Sequence, residues 1–403
     1  MTHDMLHVLE WHNGAKGYAP FSDLEMDRRQ TAMRDWMDIS EVDAALFTSP
    51  QCILYFAGWM HRPFGRKYGM VLTRTAGTTI SAGVDGGQAW RHSYGPNVTY
   101  TDWRRDNFYR AVRQLTAGVK RLAIEFDHVS LDFRRLLDAA LPGVEMVDLS
   151  LPAMWLRTVK SPEEQDLLRK GAKIAEIGFS EAIGRVAGGV PEFEVATAAT
   201  TAMIAASSDA FPHIEPMESW TWFQSGINTD GGHNPVTNRR IARGDILSLT
   251  CCPMLFGYSV ALGRTLFCGH VDDASLALWE KNLAVHRRAI ELVRPGAKCN
   301  EIAAELNEMY RNWGLLRQRS CGYGHSAGVT GPFFGREQAV DLREDVQTEL
   351  QAGMAVSVGP MILSPAGSAG AGGYHETDLL IVTSEGAERL TSAPMGPAHN
   401  VVG

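Results

Sequence analysis

The tetrapeptide Ser161-Pro162-Glu163-Glu164 constrains this chain more than any other short stretch. It combines a capping hydroxyl, a proline at the first helical position, where no N–H is needed, and a carboxylate three residues after the cap. That is the chemistry that starts a helix. A long helix is therefore expected from Pro162 to about Val186, and the chain upstream must fold as a unit of its own. At 403 residues, two domains are the expected division, 1–158 and 159–403.

The two parts differ in pattern. In the first, helical periodicity from Ser22 to Trp36 precedes apolar segments at Ala44–Phe47 and Gly69–Thr73, a helix near Trp103–Ala117 and a strand at Arg121–Glu125, which predicts a small α/β domain. In the second, Gly188-Gly189-Val190-Pro191 breaks the long helix, which resumes through Ala205. Strand-like runs follow at Ile246–Thr250, Tyr258–Phe267, Ala355–Leu363 and Asp378–Val382, around a helix over Asp273–Val293 and another capped by Asn300 and ending at Gly314. Two helix pairs separated by sheet segments predict a duplicated α+β unit with its helices on one face.

Composition narrows the function classes. A formal net charge of -8 argues against a nucleic-acid or anionic-membrane partner. The six cysteines form no CxxC pair, so neither a disulfide scaffold nor a zinc site is expected, and they read as reduced thiols of a cytoplasmic protein. The first residues carry acids and histidines where a secretory signal places a basic region, and no apolar run reaches membrane length.

Three segments carry candidate chemistry. In Trp220-Thr221-Trp222-Phe223-Gln224-Ser225-Gly226-Ile227-Asn228-Thr229-Asp230-Gly231-Gly232-His233, an apolar wall leads into a tight turn that presents His233. A histidine so placed can serve as base and then acid, although a plain exposed turn histidine suits the same composition. In Gly322-Tyr323-Gly324-His325-Ser326 the glycines allow a ligand close to the backbone, with His325 the strong polar group or simply a loop histidine. In Gly372-Gly373-Tyr374-His375-Glu376-Thr377-Asp378, Glu376 either faces a pocket or sits at a strand edge. Arg66, in Pro63-Phe64-Gly65-Arg66, and Arg336, in Phe333-Phe334-Gly335-Arg336, suit capture of a carboxylate beside an aromatic ring, or solvated surface positions.

Together these segments resemble the creatinases of the pita-bread family, which also includes methionine and proline aminopeptidases. The similarity runs from about Phe21 to Asn400 and is densest at Val84-Asp85-Gly86-Gly87, Tyr100-Thr101-Asp102-Trp103, residues 220–231, 244–249, 322–326 and 372–376. It implies a small N-terminal creatinase-type α/β domain, a C-terminal pita-bread domain of duplicated α+β architecture, and a homodimer with active sites near the subunit interface. It also implies that His233 activates water and then protonates a leaving nitrogen, while Phe64, Arg66 and Arg336 hold a substrate carboxylate. His325, Glu376, Trp220, Trp222, Phe223 and Tyr258 complete the expected substrate-binding set.

The family's peptidases bind two metals through Asp, Asp, His, Glu and Glu, and the matching positions here are Thr250, Ala261, His325, Gly359 and Glu376. Two surviving ligands cannot hold a dinuclear centre of hard cations, so no metal and no cofactor are expected. The resemblance further places creatinase glutamates at Gly263 and Gly359, a tyrosine at Ser259 and a histidine at Thr377. An unpaired buried cation is costly, so these losses count against creatine itself. The expected activity is metal-independent hydrolysis of a C–N bond in a small zwitterionic carboxylate. The alternatives are elimination of an amine or sulfide from a small onium carboxylate, whose cation would favour aromatic faces, and a non-catalytic binding homologue.

Overall fold

The computed structural model describes residues 8–10, 14–62, 64–215, 218–329 and 339–403. Arg336 and the rest of 330–338 lie outside the described residues. The chain divides into two compact units, residues 1–157 and 158–403.

The first unit is a mixed sheet with helices in its connections. Its elements are β1 (Val8–Glu10), α1 (Asp23–Ile39), β2 (Ala44–Phe47), α2 (Pro50–Ala57), β3 (Gly69–Leu72), β4 (Gly77–Ala82), α3 (Gln88–His92), β5 (Asn97–Tyr100), α4 (Asn107–Leu115), β6 (Arg121–Ile124), α5 (Leu131–Ala140), β7 (Glu145–Asp148) and α6 (Ser150–Thr158). The seven strands are ordered β1-β5-β4-β3-β2-β6-β7. Strands β2 to β4 are buried along their whole length, which explains their unbroken apolar and small-residue character. Ser22 caps α1 by accepting from the Glu25 N–H, so the helix starts where periodicity placed it but runs on to Ile39.

The second unit opens with α7 (Pro162–Arg185) and α8 (Glu192–Ala210), then β8 (Trp220–Ser225), β9 (Ile246–Cys252), β10 (Met254–Leu255), β11 (Tyr258–Ser259) and β12 (Leu262–Cys268). It continues with α9 (Asp273–Leu292), α10 (Cys299–Asn312), β13 (Gly324–Ser326), β14 (Ala355–Val358), β15 (Met361–Ser364), β16 (Gly372–His375), β17 (Asp378–Val382), β18 (Ala387–Arg389), α11 (Pro397–Asn400) and β19 (Val401–Val402). Two four-stranded sheets, β19-β12-β9-β8 and β13-β14-β17-β18, carry the architecture, with β15 and β16 forming a separate hairpin.

The capping box at α7 forms as its chemistry requires: Ser161 Oγ accepts from the Glu164 N–H at 3.3 Å, and Glu164 Oε2 accepts from the Ser161 N–H at 2.8 Å. Other boundaries need correction. Residues 355–363 form two strands rather than one, because Gly359-Pro360 ends β14 and Pro360 has no N–H to continue a ladder. Residues 258–267 are likewise split between β11 and β12. Asn300 lies inside α10, whose cap position is Lys298.

Candidate active site

A row of directly opposed residues crosses the second unit's sheet. Trp222 on β8 faces Thr250 on β9, Thr250 faces Gly263 on β12, and Gly263 faces Thr377 through an isolated antiparallel bridge. Directly opposed residues point to the same face. With neighbouring strands about 4.8 Å apart, the row spans roughly 14 Å, room for a small amino-acid derivative.

His233 stands at one end of this row. Its ring stacks on Trp222 with centroids 5.0 Å apart and planes 24° from parallel, and Trp220 meets Trp222 edge-on at 3.8 Å. The loop presenting His233 is held from below: Gln224 Nε2 donates to the carbonyls of Gly231 at 3.1 Å and Asn234 at 2.7 Å. Asn234 Nδ2 donates to Asp230 Oδ1 at 2.6 Å and to the Asn228 carbonyl at 3.1 Å. Buried Glu192, at the start of α8, accepts from Ser225 Oγ at 2.7 Å, Asn228 Nδ2 at 3.0 Å and Thr237 Oγ1 at 2.6 Å. One carboxylate thus ties both ends of the loop to a helix, which fixes the imidazole without burying it.

The other end of the row is closed by small neutral groups. An ideal Cβ on Gly263 would lie 3.0 Å from Thr377 Cβ and Oγ1 and 3.1 Å from Thr250 Oγ1, so the threonines lean over the glycine. A Cβ on Gly359, which follows β14, would lie 3.0 Å from Thr377 Oγ1 and 3.1 Å from His375 Nε2. The glycines missing their expected carboxylates therefore border one wall made of Thr250, Thr377 and His375. His375 Nε2 and Thr377 Oγ1 are hydrogen bonded at 2.8 Å. Burial pulls the His375 pKa down to about 4, and the charges of His286, His233 and His325 push the same way. His375 also pairs in register with Met361, on which a Cβ at Gly232, beside His233, would rest at 3.3 Å.

Behind the wall lies a buried ionic cluster. Arg264, fully buried, donates through Nη1 to the carbonyls of Gly263 at 2.6 Å and Thr377 at 3.0 Å, and through Nη2 to Asp378 Oδ1 at 2.9 Å. Glu376 Oε1 accepts from Trp279 Nε1 at 2.8 Å and the Thr265 N–H at 3.1 Å, and its Oε2 lies 3.7 Å from Arg264 Nε. Burial pushes the Glu376 carboxyl up to about 7 although Arg264 and these N–H donors favour its charged form. Burial opposes ionisation of Asp378 too, but the His286 hydrogen bond, Arg264 and Arg389 hold its pKa well below the usual carboxylate range.

The sequence-derived residues divide accordingly. His233, Trp220 and Trp222 are brought together, and His325 on β13 lies near enough to bear on His375, its Nδ1 2.9 Å from the Ser326 carbonyl. Three expected substrate contacts need correction. Phe223 is fully buried and, by strand alternation, points to the face opposite Trp222. Tyr258 is buried with its hydroxyl donating at 2.8 Å to Glu164, the capping-box carboxylate. Glu376 has no exposed surface and belongs to the cluster behind the wall. Phe64 is exposed, and Arg66 is half-exposed and ion-paired with Asp102, both in the first unit. His375, Glu192 and Gln224 are not distinguished by their local sequence, apart from the place of His375 in the Gly372–Asp378 motif.

A two-domain hydrolase of the pita-bread class is what this fold and site define. A model of the Creatinase/Prolidase N-terminal domain matches residues 29–159, and one of metallopeptidase family M24 matches residues 166–384. The chain belongs to metallopeptidase family M24, and within it is 48% identical over 397 residues to creatinase from Bacillus sp. strain B-0618, covering 97% of this chain and 96% of that protein. It is also 23% identical over 369 residues to an Xaa-Pro dipeptidase from Pyrococcus horikoshii, covering 91% and 97%. Solved structures share the fold: prolidase from Pyrococcus horikoshii OT3 superposes with a TM-score of 0.77 at 21% identity, covering 91% of this chain and 98% of that one. Xaa-Pro dipeptidase from Bacillus anthracis gives 0.78 at 22%, covering 92% and 99%. The chain is a creatinase-like hydrolase acting on C–N bonds.

The metallopeptidase name raises the question of a metal, and the donor set does not fit one. Among the described residues no group of three or more His, Cys, Asp or Glu side chains is placed to hold an ion. Thr250 and Gly359 supply no carboxylate, and Glu376, the one carboxylate that remains, gives Oε1 to Trp279 and Thr265 and keeps Oε2 buried without a hydrogen-bond partner, 3.7 Å from the resident cation Arg264. Nor is any described helix long and apolar enough to cross a membrane.

Proposed function

We propose that this protein hydrolyses a C–N bond in a small amino-acid-like carboxylate without a metal, with His233 as the acid/base. The observation that carries the reading is the pairing of His233, stacked on Trp222 at the head of the row, with a metal-ligand set reduced to His325 and Glu376. His233 takes a proton from water as the oxygen adds to the carbon, and returns it to the departing nitrogen as the C–N bond breaks. Phe64, Arg66 and Arg336 hold the carboxylate, a role that rests on the creatinase resemblance. The same resemblance supports a homodimer with active sites near its interface, and the unpaired cysteine pattern supports a place in the cytoplasm. Creatine is a poor substrate in this reading, because the wall at Gly263 and Gly359 offers no carboxylate to a guanidinium.

The test is elemental analysis of protein purified without chelator, combined with amine release before and after EDTA. Substoichiometric metal and unchanged turnover are expected. One bound transition metal per chain, with activity lost on its removal, would overturn the reading.

A further inference from the structure

Resting on the hydrolase reading above, we propose that the wall of Thr250, Thr377 and His375 over Gly263 and Gly359 receives an uncharged carbonyl head group. The substrate is then an N-carbamoyl or N-acyl amino acid rather than a guanidino acid.

Two independent observations lead there. The first is the hydrogen-bonding character of the wall. The nearest atoms to the absent side chains of Gly263 and Gly359 are threonine atoms, an imidazole nitrogen and the Glu376 backbone carbonyl. Hydroxyls both donate and accept, which suits a carbonyl oxygen beside an amide N–H, whereas a guanidinium only donates and carries a charge that must be matched.

The second is the cation behind the wall. Arg264 donates to the backbone carbonyls of Gly263 and Thr377, the residues whose side-chain positions define the wall. Its partner Asp378 is shared with Arg389 at 3.0 Å and His286 at 2.8 Å, so that carboxylate has no capacity to spare for a substrate cation. The cluster therefore offers a substrate cation no free Asp378 oxygen, whereas a neutral head group needs no such partner.

The chemistry balances. Water adds its oxygen to the carbonyl carbon, the C–N bond breaks, and the leaving nitrogen takes the proton that His233 removed from water. An N-acyl substrate gives a carboxylic acid and an amine. An N-carbamoyl substrate gives the amine and carbamate, which decomposes to ammonia and carbon dioxide.

The experiment uses the full-length protein and four probes: creatine, N-carbamoyl-N-methylglycine, N-acetyl-N-methylglycine and glycine betaine. The second probe differs from creatine by an oxygen in place of the charged imino nitrogen. Binding is read by calorimetry and release of N-methylglycine is read separately. We expect the carbamoyl or acetyl compound to bind at least about tenfold tighter than creatine, roughly the worth of one hydrogen bond. Thr377→Val should abolish the preference, and Thr377→Ser, which keeps the hydroxyl, should retain it. Equal or tighter binding of creatine, preference for glycine betaine, or binding of neither neutral-headed acid overturns the proposal. If creatine wins and is hydrolysed, the head-group assignment fails while the hydrolase reading stands. If the neutral acids bind preferentially but no amine is released by any probe, the assignment stands and the hydrolase reading fails.

Discussion

Rebuilding a cationic head-group site tests the reasoning about Gly263 and Gly359 quantitatively. Neither glycine has a positive φ, so a side chain meets no backbone penalty at either position. The obstacle is crowding: a Cβ at 263 or at 359 falls 3.0 Å from Thr377 Oγ1. Gly263→Glu or Gly359→Glu alone must displace that threonine, an overpacking cost of about 1–3 kcal/mol, which offsets the about 1.5–3 kcal/mol from one new charged hydrogen bond. Single variants should therefore gain little affinity for creatine. Combining both with Thr377→His removes the Oγ1 that both new Cβ atoms meet, leaves the contacts of 263 with the Cβ at 377 and with Thr250 Oγ1 as residual strain, and adds two carboxylates. Two charged hydrogen bonds less the residual strain leave about 3 kcal/mol, on the order of a hundredfold in creatine affinity. Calorimetric titration gives the affinity and urea release gives the turnover. A wild type that binds creatine as tightly as the triple variant, or a single variant that captures the whole gain, refutes the crowding argument.

Further outcomes follow from the electrostatics. The His375 imidazole should stay neutral down to about pH 4 in the fold, against an ordinary value of 6.5, so its labelled ring signals should titrate near the lower figure; a midpoint near 6.5 contradicts the burial assigned to it. With a depressed pKa the unfolded chain takes up the proton first, so His375's contribution to stability is complete above about 6.5 and is lost as pH falls toward about 4. Glu376, raised from 4.5 to about 7, acts in the opposite sense and loses its contribution as pH rises through about 7. Arg264→Ala leaves Glu376 and Asp378 buried without their shared cation and should cost about 3–5 kcal/mol by chemical denaturation; a change under about 1 kcal/mol would show the pair is hydrated.

What could be read in the sequence was local chemistry. The start of α7 was legible because Ser161, Pro162 and Glu164 satisfy one another within four residues. The His233 turn was legible because glycine, asparagine and aspartate leave few alternatives to a tight loop. What stayed hidden depends on partners distant in the chain. The row from Trp222 to Thr377 exists only through strand register, and no local pattern distinguishes Phe223, on the core face, from Trp222, on the site face, when both are aromatic. Tyr258 was expected at the substrate because nothing near it reveals that Glu164 takes its hydroxyl. In the same motif as His375, Glu376 has the sequence setting of a functional carboxylate beside a strand, whereas its burial with Arg264 comes from tertiary packing.

The central claim is that His233 performs the proton transfers of a metal-free C–N hydrolysis. Its most direct test is the turnover of His233→Ala, measured with EDTA present on whichever probe the wild type hydrolyses. The ring is exposed and contributes a stacking contact to Trp222, so the variant should fold and melt as the wild type does. Its kcat should fall by roughly 10²-fold or more, the usual worth of a general acid/base. Undiminished kcat in a folded His233→Ala protein would contradict the claim.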